Sequence, residues 1–310
     1  MTTRVADAER VPAAPSRAAQ IASALLVAGL LALIYHRTLD ALWTTWVTND
    51  TYSHGPLIPL VALGLAVWRR DALAALRPVP QPLGLLVVAA GCAMQLAGIR
   101  GDVLTLQGWS LLVVLFGAVL TVCGGPIARV LAVPIGYLVF MLTFPPLLVN
   151  QLSFALKEVA VALSTRIAEA LGVVMQRDGM VLTLATGELR IEHPCSGLRS
   201  LLALIATGAL FAITLPAAAR WKQALMLLSA LPIAILANTL RLTLLILVAH
   251  YGSVSQAAGR VHDLSGYLLY GFALAGLMLV RSWLVPPHAP AAAPSAAARR
   301  IEQALRRQTS

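Results

Sequence analysis

Charge is what this sequence has least of. Only 12% of its 310 residues are Asp, Glu, Lys or Arg, against 59% hydrophobic ones, whereas a soluble domain carries about a quarter charged residues. That shortage, with a mean hydropathy of +0.81, excludes a soluble globular protein and implies a polytopic membrane protein. Acidic residues are scarcer still, 13 against 23 basic ones, for a net charge of +10. The basic residues stand at the ends of apolar runs, a pattern that orients membrane proteins, so no nucleic-acid partner is expected. Aromatics make up 6% of the chain. Several mark run ends (Trp43, Trp46, Trp68, Trp109, Trp221, Trp283), as an interfacial belt would. No polar stretch is long enough for a separate soluble core, so one membrane domain is expected. Cysteine is rare as well. Three residues with no C-x-x-C pair, and no His/Cys/acid set at ligand spacing, give no reason to expect a metal or other cofactor.

The apolar runs divide the chain. A spanning helix needs about 20 apolar residues, and eight candidates emerge at 19–36, 55–68, 82–99, 103–123, 128–149, 197–216, 223–250 and 264–284. The first resembles a signal-peptide core but lacks a small-residue cleavage site, and reads as a retained helix. Residues 1–18 read as a cytoplasmic tail, 19–284 as the membrane domain, and 285–310 as a flexible basic cytoplasmic tail. Arg69, Arg70, Arg77, Arg129, Arg220, Lys222 and Arg281 fall in alternate connections, on the same side as both tails.

The opposite face holds the polar material. Residues 37–54 form one connection, which includes Trp43, Trp46, Asn49 and Asp50 and then runs through Tyr52-Ser53-His54 to Gly55 at the second run. Residues 150–194 form the longest segment outside the runs. Phe154, Leu156, Val159, Val161, Leu163, Ile167 and Leu171 alternate with Lys157, Glu158, Arg166 and Glu169, predicting an amphipathic helix on the membrane surface. The turn Arg177-Asp178-Gly179 and the alternating residues to Glu192 predict a small β-hairpin before the sixth span. The fold class is therefore all-α and polytopic, with about eight spans, one surface helix and one hairpin.

Chemistry concentrates at Glu192-His-Pro-Cys-Ser-Gly-Leu-Arg-Ser200. Pro194 keeps a preceding helix from running into Cys195, which falls near the first turn of the sixth span, where helix amides favour a thiolate. A lone cysteine is more often a small buried hydrophobe. Arg241 interrupts an apolar run with Asn238 three residues before it. A charge inside a span costs about 2.5–3.5 kcal/mol, so Arg241 belongs in protein or a water-filled cavity, although a purely structural arginine bridging helices fits too. His262-Asp263 opens the last run; Asp263 orients the histidine or caps a helix. His193 competes with His262 as a general base.

These motifs, in order, resemble the exosortase/archaeosortase family: Tyr52-Ser53-His54-Gly55 before a run ending Trp68-Arg69-Arg70, Pro194-Cys195-Ser196-Gly197-Leu198-Arg199-Ser200, Asn238-Thr-Leu-Arg241, and His262-Asp263-Leu-Ser-Gly266. The histidine at the third catalytic position points to the bacterial branch. The resemblance implies an inner-membrane cysteine protease-transpeptidase that acts on secreted proteins ending in a Pro-Glu-Pro motif, a transmembrane helix and a basic tail (the PEP-CTERM signal). They would pass through an acyl-thioester to an envelope polysaccharide or lipid acceptor. It implies Cys195 as nucleophile, Arg241 as proton donor and His262 as transition-state stabiliser, at a site facing the periplasm. Tyr52, His54, Ser196, Gly197, Arg199, Asn238 and Asp263 are the candidate supporting residues, and membrane lipid is a further partner. A guanidinium, with a pKa above about 12, is a poor proton donor, so Arg241 and His262 exchange roles in an alternative assignment. Two rival readings are a transporter using Arg241 and His262, and a non-catalytic partner in polysaccharide export.

Overall fold

The computed structural model describes residues 17–191, 198–216 and 219–285. They form two compact units, Met1–Gln151 and Leu152–Ser310. Among the described residues, six helices are long and apolar enough to cross a membrane; Gly125–Met141 and Leu201–Ile213 are shorter apolar helices. About eight apolar helices is thus the observed architecture, with some boundaries redrawn.

The first helix, α1 (Arg17–Thr48), does not end at residue 36 but runs on through most of the expected connection. Tyr35, Thr38, Leu42 and Trp46 recur at spacings of three and four and are all buried, which makes one continuous seam. Trp46 therefore lies inside the protein rather than in an interfacial belt. A one-turn 3-10 helix (Asp50–Tyr52) leads to α2 (Leu57–Trp68), only 12 residues long, and then α3 (Arg70–Ala74).

Helices α4 (Leu83–Arg100) and α5 (Leu104–Cys123) form a tight pair. Gly84, Gly91 and Gly98 line α4 every seven residues, and the α5 backbone comes up against them. An added Cβ on Gly91 would lie 3.0 Å from the Val114 nitrogen, and one on Gly98 2.9 Å from that of Gln107. Small residues let backbones approach in this way where lipid offers no hydrophobic drive. Polar side chains pair across the same helices. The Ser110 hydroxyl donates to Gln95 Oε1 (2.9 Å) or the Gln107 carbonyl (2.6 Å), and so receives the Tyr35 O–H at 2.9 Å. Gln95 donates to Thr38 (2.9 Å), which donates to Gln107 (3.0 Å). Each group thereby keeps a partner away from water.

The expected span 128–149 does not form as one helix. Helix α6 (Gly125–Tyr137) continues as a 3-10 turn (Leu138–Met141) and stops, and α7 (Pro146–Ala170) begins afresh. Pro145-Pro146 explains the break: a residue before proline avoids the helical region, and proline suits the first position of a new helix. Helix α7 forms, but its buried face is not the expected apolar one. Ser153, Leu156, Ala160, Val161, Ser164, Thr165 and Ala168 are buried, while Phe154, Val159, Leu163 and Ile167 are exposed, since small residues allow close packing and large apolar ones can be left to lipid. At 25 residues it is also long and apolar enough to cross a membrane.

In the second unit the expected hairpin gains a strand. β1 (Met175–Asp178), β2 (Val181–Leu184) and β3 (Gly187–Arg190) form an antiparallel sheet in chain order, with Leu182 opposite Leu189 and Leu184 opposite Gly187. Two-residue connections fix that register. Leu182, Leu184, Leu189 and Ile191 point to one side and share a core with Ala160, Val161 and Ala168 of α7. The rest of that core comes from Val173 before β1, from Leu242, Leu245, Ile246 and Ala249 of α9 (Arg220–Tyr251) and from Ala257 of α10 (Val254–Ala258). Helices α8 (Leu198–Ile213) and α11 (Arg260–Leu284) both pack on α9.

Candidate active site

Arg241 sits on α9 beside the buried residues Ala237, Asn238, Thr239 and Leu242. It is half-buried, and its environment is another helix rather than lipid. The Nε–H donates to the Ser265 hydroxyl of α11 at 3.3 Å. Ser265 is itself buried, at 1% exposure. The next residue, Gly266, forms a floor: a Cβ built there would lie 3.5 Å from Nη2, 3.6 Å from Cζ and 3.9 Å from Nη1. Both guanidinium edges therefore lie across a residue with no side chain. A charge in a span demands such protein surroundings, and here the α9–α11 contact provides them.

Asn238, one turn before Arg241, is 7% exposed. Position 262 lies three residues before Ser265 on α11, so the helix carrying His262 is the one against which Arg241 rests. The side chains of His262, Asp263 and Arg199 are outside the described residues, as are Cys195, Ser196 and Gly197. In sequence, Cys195 falls five residues after the end of β3 and three before the start of α8. Thr186, at the β2–β3 turn, donates to the Ala249 carbonyl at 2.6 Å and ties the sheet to the last turn of α9.

Tyr52 and His54 belong to the first unit, where they grip irregular backbone. The Phe144 N–H donates to the Tyr52 hydroxyl at 3.1 Å, His54 Nε2 donates to the Phe140 carbonyl at 3.1 Å, and Trp46 Nε1 donates to the Met141 carbonyl at 2.8 Å. Non-helical backbone at this depth needs such partners. Gly55 is part of the same fit, because a Cβ there would collide with the Trp46 indole. Burial raises the Tyr52 phenol above its ordinary pKa, and the Phe144 N–H opposes this only in part. The Tyr-Ser-His-Gly motif thus has a clear packing role within its own unit. Among the described residues, no group of three or more His, Cys, Asp or Glu side chains is placed to hold a metal ion.

The long apolar helices define a multi-pass membrane protein. Residues 46–279 match the family model of the transmembrane exosortases, and the chain belongs to that family. Membership supports a membrane transpeptidase-type role. No curated protein and no solved structure matches the chain.

Ser265 is the residue the sequence analysis left unassigned. It stands within His262-Asp-Leu-Ser-Gly266, and its position three residues after His262 was the available signal.

Proposed function

We propose that this protein is a cysteine protease-transpeptidase of the bacterial inner membrane, with Cys195 as nucleophile and Arg241 and His262 as its partners. Its substrates are secreted proteins ending in a Pro-Glu-Pro motif, an anchor helix and a basic tail. The observation that supports this best is the seating of Arg241: a costly cation is held by α11, the helix that carries position 262, inside the region that matches the family.

In this reading His262 takes the Cys195 proton, and the thiolate attacks the scissile carbonyl to form a C–S bond. The oxygen becomes an oxyanion, which the Arg241 guanidinium holds by charge. The C–N bond then breaks, His262 returns its proton to the departing amine, and a thioester remains. An envelope acceptor gives a proton to His262 and attacks the thioester, releasing the Cys195 thiolate. The β3 edge offers the extended motif backbone partners. Sharing one bilayer with the anchor helix supplies orientation and effective concentration. Both termini face the cytoplasm, the site faces the periplasm, and a polysaccharide or lipid component of the envelope is the acceptor.

The test is Cys195→Ala, co-expressed with a protein carrying the tripartite signal. Removal of the signal stops while the enzyme stays at normal levels in the membrane, and a hydroxylamine-sensitive adduct forms only with wild type. Unchanged processing by Cys195→Ala rejects the proposal.

A further inference from the structure

We infer that Ser265 is a positioning residue for Arg241: its hydroxyl fixes the plane of the guanidinium that the reaction uses, an inference that rests on the transpeptidase reading. An arginine side chain ends in a rigid planar fork with five N–H donors. Packing along the stem of an arginine limits where the fork lies but does not by itself set its rotation about the last bonds. A partner for Nε removes that freedom, because Nε lies in the plane and cannot stay bonded while the plane rotates. Ser265 Oγ accepts from this nitrogen at 3.3 Å. Gly266, the neighbouring residue, sets the height of the plane, with Nη2, Cζ and Nη1 all 3.5–3.9 Å from the place of its missing Cβ. Ser265 therefore governs rotation and Gly266 governs approach. The two are consecutive on α11, so a single turn of one helix orients a cation on another.

The chemistry makes orientation matter more than presence. An oxyanion exists only at the transition state, and a donor contributes fully only when aimed at that atom beforehand. Losing the Ser265 hydroxyl leaves the charge in place but removes the contact that holds Nε, and so loosens its plane. Turnover should therefore fall while substrate affinity is kept.

The experiment uses the full-length protein in nanodiscs with a purified sorting-signal substrate. Ser265→Ala lowers kcat about tenfold with KM within about twofold, and Ser265→Thr, which keeps the hydroxyl, restores most of the rate. In protein labelled with 15N-arginine, the Arg241 Nε–H signal, assigned by its loss in Arg241→Lys, exchanges with water faster in Ser265→Ala than in wild type or Ser265→Thr. Wild-type kcat in Ser265→Ala overturns the inference, as do equal losses in the Ala and Thr variants or a kcat loss without a change in Nε–H exchange. Failure of the parent reading looks different: Cys195→Ala then processes substrate normally. In that case the exchange measurement alone decides whether Ser265 seats Arg241.

Discussion

Burial holds the Tyr52 phenol protonated above its ordinary range, even though its oxygen accepts the Phe144 N–H. A raised folded-state pKa means the stability from this proton is complete below about pH 10 and is lost as pH climbs through the folded value. Tyr52→Phe strands the Phe144 N–H, at a cost of about 1–3 kcal/mol near neutral pH. The difference in thermal stability between wild type and Tyr52→Phe should then narrow as the pH rises above about 10; a difference that stays constant there would contradict the assignment. Individual residues were legible from sequence in proportion to their cost out of place. Arg241 announced itself because a cation in an apolar run needs a protein partner. Ser265, which supplies one such partner, gave no such signal, since a lone serine sits in a span almost without penalty. Tyr52 and His54 stood out as polar residues near a turn and as part of a family motif, but their grip on residues 140–144 depended on backbone distant in sequence.

Among the elements, the α4–α5 pair makes the sharpest demand on sequence. A methyl group on Gly91 would come within 2.5 Å of the Val114 side chain and 3.0 Å of its backbone nitrogen. Gly91→Ala should therefore lower stability by about 1–3 kcal/mol. Gly64→Ala, on an exposed part of α2 with nothing within 4 Å, should leave it unchanged or raise it slightly. Thermal unfolding in one detergent compares the two, and equal effects would refute close backbone packing as the cause. The helical runs could be read directly because lipid enforces about 20 apolar residues. Their ends could not. Residues 37–48 carry Arg37 and Asp40 on the outside of α1 and so look like a connection, while Thr38, Leu42 and Trp46 bury the other side. Pro145-Pro146 was visible, but an otherwise apolar stretch hid the break it causes. β1 was missed because Gln176, Arg177 and Asp178 are all exposed, leaving no alternation to detect.

For the molecule as a whole, orientation is the property that connects sequence to function. The Arg69 guanidinium lies 5.4 Å over the Trp68 ring and Lys222 5.6 Å over Trp221, and the charge pattern of the sequence leads one to expect both connections in the cytoplasm. With Cys92, Cys123 and Cys195 replaced by alanine, Asp178→Cys should react with a membrane-impermeant maleimide in cells whose outer membrane is permeabilised. Asp71→Cys should react only once the inner membrane is opened. Both aspartates are exposed, and the reverse pattern would invert the topology and move the proposed site to the wrong compartment. The peg from Thr186 to Ala249 also has a mechanical meaning. Ala249 lies eight residues, or about 12 Å, along α9 from Arg241, while the strand after Thr186 leads toward Cys195. In the proposed reaction, a pull on a substrate paired with that strand would bear on the same helix that carries the guanidinium. Sheet and arginine are therefore both anchored on one helix.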